Sequence, residues 1–123
     1  NEDFKFIGMK VELETGETPN AQVTLSVKGK EETGQANGDG PVDAIFKAIE
    51  SVLASGCKVQ LYSVNAITDG ADAQGEVTVR VSKDGRIVNG RGSDTDIITA
   101  SAKAYVNAVN RVSISMQKAH PQI

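Results

Sequence analysis

The sequence predicts an α+β fold built from a duplicated βββα unit, with two mostly antiparallel three-stranded sheets and one helix on each. Three stretches with apolar residues at alternate positions precede a stretch with helical spacing, and this order occurs twice. Residues 22–27 also align with residues 76–81 in their pattern of apolar and polar residues. Because one helix on a three-stranded sheet leaves an apolar face exposed, we expect the repeats to pack about a pseudo-twofold axis.

The first half begins with two strands. Residues 7–14 carry apolar side chains at every second position, which predicts a half-buried strand. A loop rich in Gly, Pro and Asn follows at residues 16–20, and residues 23–27 alternate again. Residues 28–30 predict a hairpin turn, and residues 31–36 predict a weaker, polar third strand.

A glycine turn then runs into the first helix, predicted from Pro41 to about Ala54. Gly38 and Gly40 permit positive φ, and Pro41 suits the first helical position. We therefore expect a row of free N–H groups that suits a small anion, with an ordinary N-cap as the alternative. Gly56 is expected to end the helix. The apolar face of this helix consists of Val42, Ile45, Ile49, Val52 and Leu53.

The second half repeats this order. Strands are predicted over residues 59–68, 77–81 and 86–91, the last two joined by a hairpin at Asp84 and Gly85. Residues 89–92 predict a second glycine turn, equivalent to residues 37–40, in front of the second helix.

Residues 93–96 match a capping box at the start of that helix. The core-facing residues are predicted to be Ile98, Ala102, Tyr105, Val109 and Val112, and a strip of Ala100, Ala104 and Ala108 predicts close packing beside them. We expect one domain, residues 1–123, made of repeats at about residues 4–56 and 58–115. Residues 116–123 are expected to form a frayed tail.

Composition argues against several classes of function. A net charge of −3 gives no general attraction to nucleic acid or anionic membranes. No window approaches the ~20 apolar residues of a membrane span. The lone Cys57 fits a reducing cytoplasm, and the single His120 leaves neither a His/Cys metal cluster nor a Ser/His/Asp set.

The remaining motifs favour structural roles. The two Gly-x-Gly stretches lack the third glycine of nucleotide-binding loops, and capping explains Asp94 and Asp96. A turn role is favoured for Asp69 and Asp72 over cation binding. Tyr62 is compatible both with a core position and with a pocket wall.

Three segments, residues 37–44, 62–75 and 90–105, together resemble the C-terminal regulatory domain of 2-isopropylmalate synthase. The resemblance extends from the first strand to about Val112. The related (R)-citramalate synthase has the same kind of domain. The resemblance implies a domain that binds leucine as feedback inhibitor at the interface of a homodimer and carries out no chemistry itself.

The resemblance also implies a parent enzyme. That enzyme condenses acetyl-CoA with 2-oxoisovalerate, the committed step of leucine biosynthesis, in a metal-dependent TIM barrel that this chain lacks. A divalent metal is expected in the barrel and no cofactor in the regulatory domain. The inhibitor contacts implied for this sequence are Gly38, Asp39, Gly40, Val42, Val59, Tyr62, Ala66, Ala73, Gly75 and Ile97.

Three alternatives stay open at this point. The domain could respond to isoleucine, as in citramalate synthase, because added or missing methylenes change affinity by only ~1–3 kcal/mol. It could be a dimerisation module without a ligand response. It could be a small enzyme using Asp94, Asp96 or Lys103, although it has neither a suitable His nor a second catalytic cluster.

Overall fold

The computed structural model describes residues 2–67 and 73–119, without the side chains of residues 66, 67 and 116–119. Its elements follow the predicted order and confirm the α+β class, with two antiparallel sheets that are each followed by one helix. The elements are β1 (Phe4–Glu12), β2 (Asn20–Val27), β3 (Lys30–Asn37), α1 (Pro41–Leu53), β4 (Lys58–Ile67), β5 (Gly75–Lys83), β6 (Arg86–Asp94) and α2 (Ile97–Ala119).

The chain divides into two compact units, Asn1–Ser55 and Gly56–Ile123. Each unit contains one sheet and the helix that follows it. That the repeats form a single domain about a pseudo-twofold axis stays a prediction. Within the part of the chain that the structure describes, no helix is long and apolar enough to cross a membrane.

The first unit packs α1 against one face of a sheet ordered β1-β2-β3. Ala21, Val23 and Leu25 alternate along the central strand and are fully buried. The predicted hairpin is confirmed, with Lys28 and Gly29 both at positive φ (53° and 87°). Positive φ at both central residues matches the right-handed twist of the flanking strands.

α1 ends differently from the prediction. Its C-cap is Ala54, at φ 45° and ψ 43°, whereas Gly56 lies outside the helix. The Ala54 amide donates to the Glu50 carbonyl at 2.8 Å, and the Glu50 carboxylate accepts from the Ser55 amide at 3.0 Å. These two bonds offset the cost of the left-handed conformation for a residue with a Cβ.

The second unit packs α2 on β5 and β6 of a sheet ordered β4-β5-β6. The predicted Asp-Gly hairpin is confirmed, with φ of 50° at Asp84 and 80° at Gly85. Of the predicted core face of α2, four residues are buried, among them Tyr105 at 1% exposed, whereas Ile98 is half-buried. The other buried residues of that face are Ala102, Val109 and Val112, and the alternating Val77, Val79 and Val81 of β5 are fully buried beneath them.

Gly90 and Gly92 do not form a turn; both lie within β6, and the prediction of a second glycine turn is wrong. A Cβ on Gly92 would stand 2.6 Å from the Ala104 amide nitrogen, and one on Gly90 would stand 2.6 Å from the Ala108 Cβ. The glycines thus let α2 lie almost directly on the strand. The close packing predicted for the alanine strip of α2 is confirmed.

The capping box was also misplaced. Because β6 continues to Asp94, the N-cap of α2 is Asp96 and not Ser93. The Asp96 carboxylate accepts from the Ile98 amide at 3.0 Å and from the Thr99 hydroxyl at 2.8 Å. α2 runs to Ala119, beyond the predicted end near Ser115.

The close approach of α2 to β6 gives a test of stability. We expect Gly90→Ala to lower the free energy of unfolding by at least about 1–3 kcal/mol, because the new methyl group meets helix backbone that cannot rotate away. Gly8→Ala is the control, since a Cβ at Gly8 meets nothing within 4 Å, and its effect should stay within about 0.5 kcal/mol. Urea unfolding followed by circular dichroism measures both, and equal effects would contradict the packing described.

Candidate functional site

The predicted residues of the first unit lie on the connection from β3 to α1. Gly38 is buried, and a Cβ there would stand 2.6 Å from the Ala44 Cα. Its amide donates to the Pro19 carbonyl at 3.1 Å. Gly38 therefore lets the strand end pass close under the first turn of the helix.

Gly40 is the N-cap of α1, with φ −150° and ψ 175°. Neither Gly38 nor Gly40 uses the positive φ that glycine permits, since neither is among the described glycines that adopt it. A Cβ at Gly40 meets nothing within 4 Å. This position is therefore open toward anything that approaches the helix start.

The amides at this helix start are fewer than predicted. The Asp39 amide donates to Asp43 Oδ2 at 2.8 Å, the Gly38 amide is also bonded, and Pro41 has no N–H. The amides of Val42 and Asp43 belong to the first turn and have no intrahelical acceptor. The start of α1 therefore offers helix amides beside two carboxylates, those of Asp39 and Asp43, and suits a zwitterion better than a simple anion.

Asp43 is held ionised at this position. The hydrogen bond from the Asp39 amide and the contact with Lys47, whose Nζ lies 3.1 Å from Oδ2, keep the pKa of Asp43 below its ordinary value of 3.8. Asp43 in turn raises the pKa of Lys47. Both side chains are partly exposed, so solvent screens the pair.

An amide network that the sequence analysis missed fixes the strand end before Gly38. Asn20 Nδ2 donates to Asn37 Oδ1 at 2.6 Å, and Gln35 Nε2 donates to Asn20 Oδ1 at 2.9 Å. Asn20 and Asn37 are paired across β2 and β3. Only the strand register brings these residues together, so spacing along the chain carries no signal for them.

The predicted residues of the second unit begin on β4. Val59 and Tyr62 lie opposite the buried Val81 and Val79 of β5. In a regular strand, residues three apart face opposite sides, but the register shifts between Val59 and Leu61, and this irregularity turns both side chains to the same face. Val59 is 42% exposed and Tyr62 37% exposed, so this part of the face is open in the single chain.

Tyr62, Gly75 and Ile97 come together at the first turn of α2. The Tyr62 hydroxyl lies 2.8 Å from Ser101 Oγ, and Ser101 Oγ donates to the Ile97 carbonyl at 2.8 Å. Gly75 has no room for a Cβ, because the Ile97 side chain fills that space. Ser101 was not predicted from the sequence, in which only its helical spacing from Ile97 gives a signal.

The other predicted residues of this unit are more scattered. Val59 lies opposite Val81, about 20 Å along β5 from Gly75. Ala73 is half-buried just before β5. The side chain of Ala66, the loop residues Asp69 and Asp72, and His120 lie outside what the structure describes.

The carboxylates at the start of α2 serve as caps, as predicted. Asp94 Oδ1 accepts from the Asp96 amide at 3.0 Å, and Asp94 Oδ2 lies 2.9 Å from Lys103 Nζ. The amide bond first, and Lys103 second, keep the pKa of Asp94 below 3.8. Among the described residues, no group of three or more His, Cys, Asp or Glu side chains is placed to hold a metal.

Comparison with known proteins gives a consistent result. A family model described as the LeuA allosteric (dimerisation) domain matches residues 1–113. The chain is 54% identical over 122 residues to a 2-isopropylmalate synthase of Nitrosospira multiformis, and 58% identical over 123 residues to that of Nitrosococcus oceani. The corresponding protein of Burkholderia lata is 59% identical over 121 residues.

These matches cover 98–100% of the chain but only 24% of each relative. The chain thus spans about a quarter of the length of the curated relatives it matches. The resemblance to the C-terminal regulatory domain of 2-isopropylmalate synthase is confirmed.

The Asp43 contacts predict a dependence of stability on pH. Because folding lowers the pKa of Asp43, its contribution should be present above pH 3.8 and disappear as the pH falls through the lowered value. The free energy of unfolding of Asp43→Asn should therefore be lower than that of the unchanged chain at pH 7, by less than about 1 kcal/mol, and urea unfolding should show this difference closing as the pH falls below 3.8.

Lys47→Gln is the matched control for this titration. It leaves the Asp39 amide bond, the leading cause of the low pKa, in place. The free energy of unfolding of Lys47→Gln should therefore keep most of the pH dependence that Asp43→Asn loses. A difference in the free energy of unfolding between Asp43→Asn and the unchanged chain that does not shrink as the pH is lowered below 3.8 would contradict the assignment.

Proposed function

Since the chain belongs to the family of LeuA allosteric (dimerisation) domains, we propose that it binds leucine as the feedback inhibitor of a 2-isopropylmalate synthase. In this proposal the whole protein condenses acetyl-CoA with 2-oxoisovalerate in leucine biosynthesis. A catalytic TIM barrel with a divalent metal carries out that reaction in the cytoplasm, and the regulatory domain contributes no catalytic group.

The observation that carries the proposal is the grouping of Tyr62, Gly75 and Ile97 at the start of α2. An isoleucine side chain, a glycine and one phenol beside an uncovered strand face suit a branched apolar side chain. Pockets for small ligands are lined mostly by apolar side chains, and few polar groups are needed to orient the ligand.

The start of α1 supports the same ligand class. The amides of Val42 and Asp43 suit an α-carboxylate, and the exposed Asp39 suits an α-ammonium group. Gly40 leaves the approach to these groups open. We propose each set, taken within its own unit, as ligand contacts, with Ala66 and Ala73 as further apolar contacts.

Leucine is preferred over isoleucine because the compared relatives are named 2-isopropylmalate synthase. The residues themselves do not separate the two ligands, since they differ only in the position of one methyl group. An isoleucine-responsive domain is therefore the second candidate within this class.

Inhibition of a separate barrel requires linkage. A ligand changes catalysis at a distance only if it binds one arrangement of the protein better than another. The matched family is described as a dimerisation domain, so we propose that the relevant arrangements are those of a homodimer. The isolated chain is then expected to show the binding and not the inhibition.

Calorimetric titration of the chain with leucine, isoleucine and valine tests the proposal. We expect the largest affinity for leucine. A strong preference for isoleucine would instead indicate a regulatory domain of the citramalate synthase type. If sedimentation shows a dimer, and none of the three amino acids changes its melting temperature, the domain is a dimerisation module and the proposal fails.

Gly40→Val tests the location of the contacts. A side chain at Gly40 enters open space, so the fold should be retained while ligand access to the helix start is blocked and leucine binding is lost. Gly8→Val is the matched control, because it also enters open space but lies on β1, and should keep the affinity. Unchanged binding by Gly40→Val would show that the ligand contacts lie elsewhere.

A further inference from the structure

We propose that Ser101 is a positioning residue that fixes the Tyr62 hydroxyl for ligand recognition, an inference that rests on the proposed function. Ser101 is no part of the contact set implied by the family resemblance. It is fully buried on α2, whereas Tyr62 is 37% exposed on β4. The bond between them thus ties a surface ring to the interior of the unit.

The direction of the hydrogen bonds follows from a count of protons. Ser101 Oγ carries one proton, which it donates to the Ile97 carbonyl at 2.8 Å. At 2.8 Å from Ser101 Oγ, the Tyr62 hydroxyl must therefore be the donor to Ser101. The chain of hydrogen bonds thus runs from the Tyr62 hydroxyl through Ser101 to the backbone carbonyl of Ile97.

This direction sets what the Tyr62 oxygen offers to a ligand. With its single proton directed to Ser101, the phenol oxygen meets a ligand group only as an acceptor. An acceptor suits the ammonium group of an amino acid and not its carboxylate. Ser101 thus decides both where the phenol stands and which end of the zwitterion it recognises.

The bond also couples two predicted contacts. Ile97, whose carbonyl accepts from Ser101, fills the space above Gly75 with its side chain. A displacement of Tyr62 is therefore resisted by the first turn of α2 through Ser101. On an otherwise exposed edge strand, this restraint reduces the ordering that ligand binding would require.

Leucine affinity of Ser101→Ala, Tyr62→Phe and the double variant tests the proposal by calorimetry on the whole chain. We expect Tyr62→Phe to weaken binding about tenfold and Ser101→Ala about three- to tenfold. The double variant should bind no more weakly than Tyr62→Phe, because both changes remove one unit. Thermal unfolding of each variant without ligand separates lost stability from lost affinity.

Two controls separate positioning from packing. Ser101→Cys keeps the side-chain volume but gives a poor hydrogen bond, and should bind as weakly as Ser101→Ala. Ser51→Ala removes a comparable serine bond, from Ser51 Oγ to the Ala48 carbonyl on α1, and should leave the affinity unchanged.

The outcomes are distinct. If the unchanged chain binds leucine and Ser101→Ala binds it within twofold, the positioning role is refuted while the proposed function stands. Full affinity in Ser101→Cys would also refute it, since packing alone would then explain the alanine variant. If the unchanged chain binds no branched-chain amino acid, the proposed function and this inference fail together.

Discussion

The close approach of each helix to the last strand of its sheet is the constraint on which the structure depends. Gly34 on β3 lies opposite the buried Val23, and Gly92 on β6 lies opposite the buried Val77. A Cβ at Gly34 would stand 2.6 Å from Val52 Cγ2, and one at Gly92 would stand 2.6 Å from the Ala104 amide nitrogen. Glycine at these positions thereby lets each helix pack directly on its sheet, and this packing fixes the position of the first helical turn.

Both helix starts use carboxylates for the same electrostatic purpose. At α1, Asp43 accepts from the amide of Asp39, which precedes the N-cap; at α2, Asp94 accepts from the amide of the N-cap Asp96. Each carboxylate also pairs with a lysine further along its helix. The negative charge stabilises the positive end of the helix, and the lysine limits the net charge beside the candidate contacts.

Much of the fold could be predicted from alternation and turn chemistry, because these are local properties. The glycines were predicted less well. A Gly-x-Gly sequence occurs both in turns and in strands that pack under a helix, and only the packed helix distinguishes the two cases. Gly90 therefore belongs to β6, and α2 starts after Asp96. The grouping of Tyr62, Gly75 and Ile97 depends on strand register, so the resemblance indicates these residues while only the folded structure explains their association.

The irregularity in β4 has a consequence for how such domains diverge. Pairing with β5 continues on both sides of the shift between Val59 and Leu61, so the ladder tolerates one residue more or fewer there. Deletion of Gln60 would keep Val59 opposite Val81 and Tyr62 opposite Val79, so the same side chains would line the open face of a regular strand. Strand length can thus vary by one residue at this point without a change in the side chains that face a ligand, and a comparison of aligned columns would score the difference as a gap.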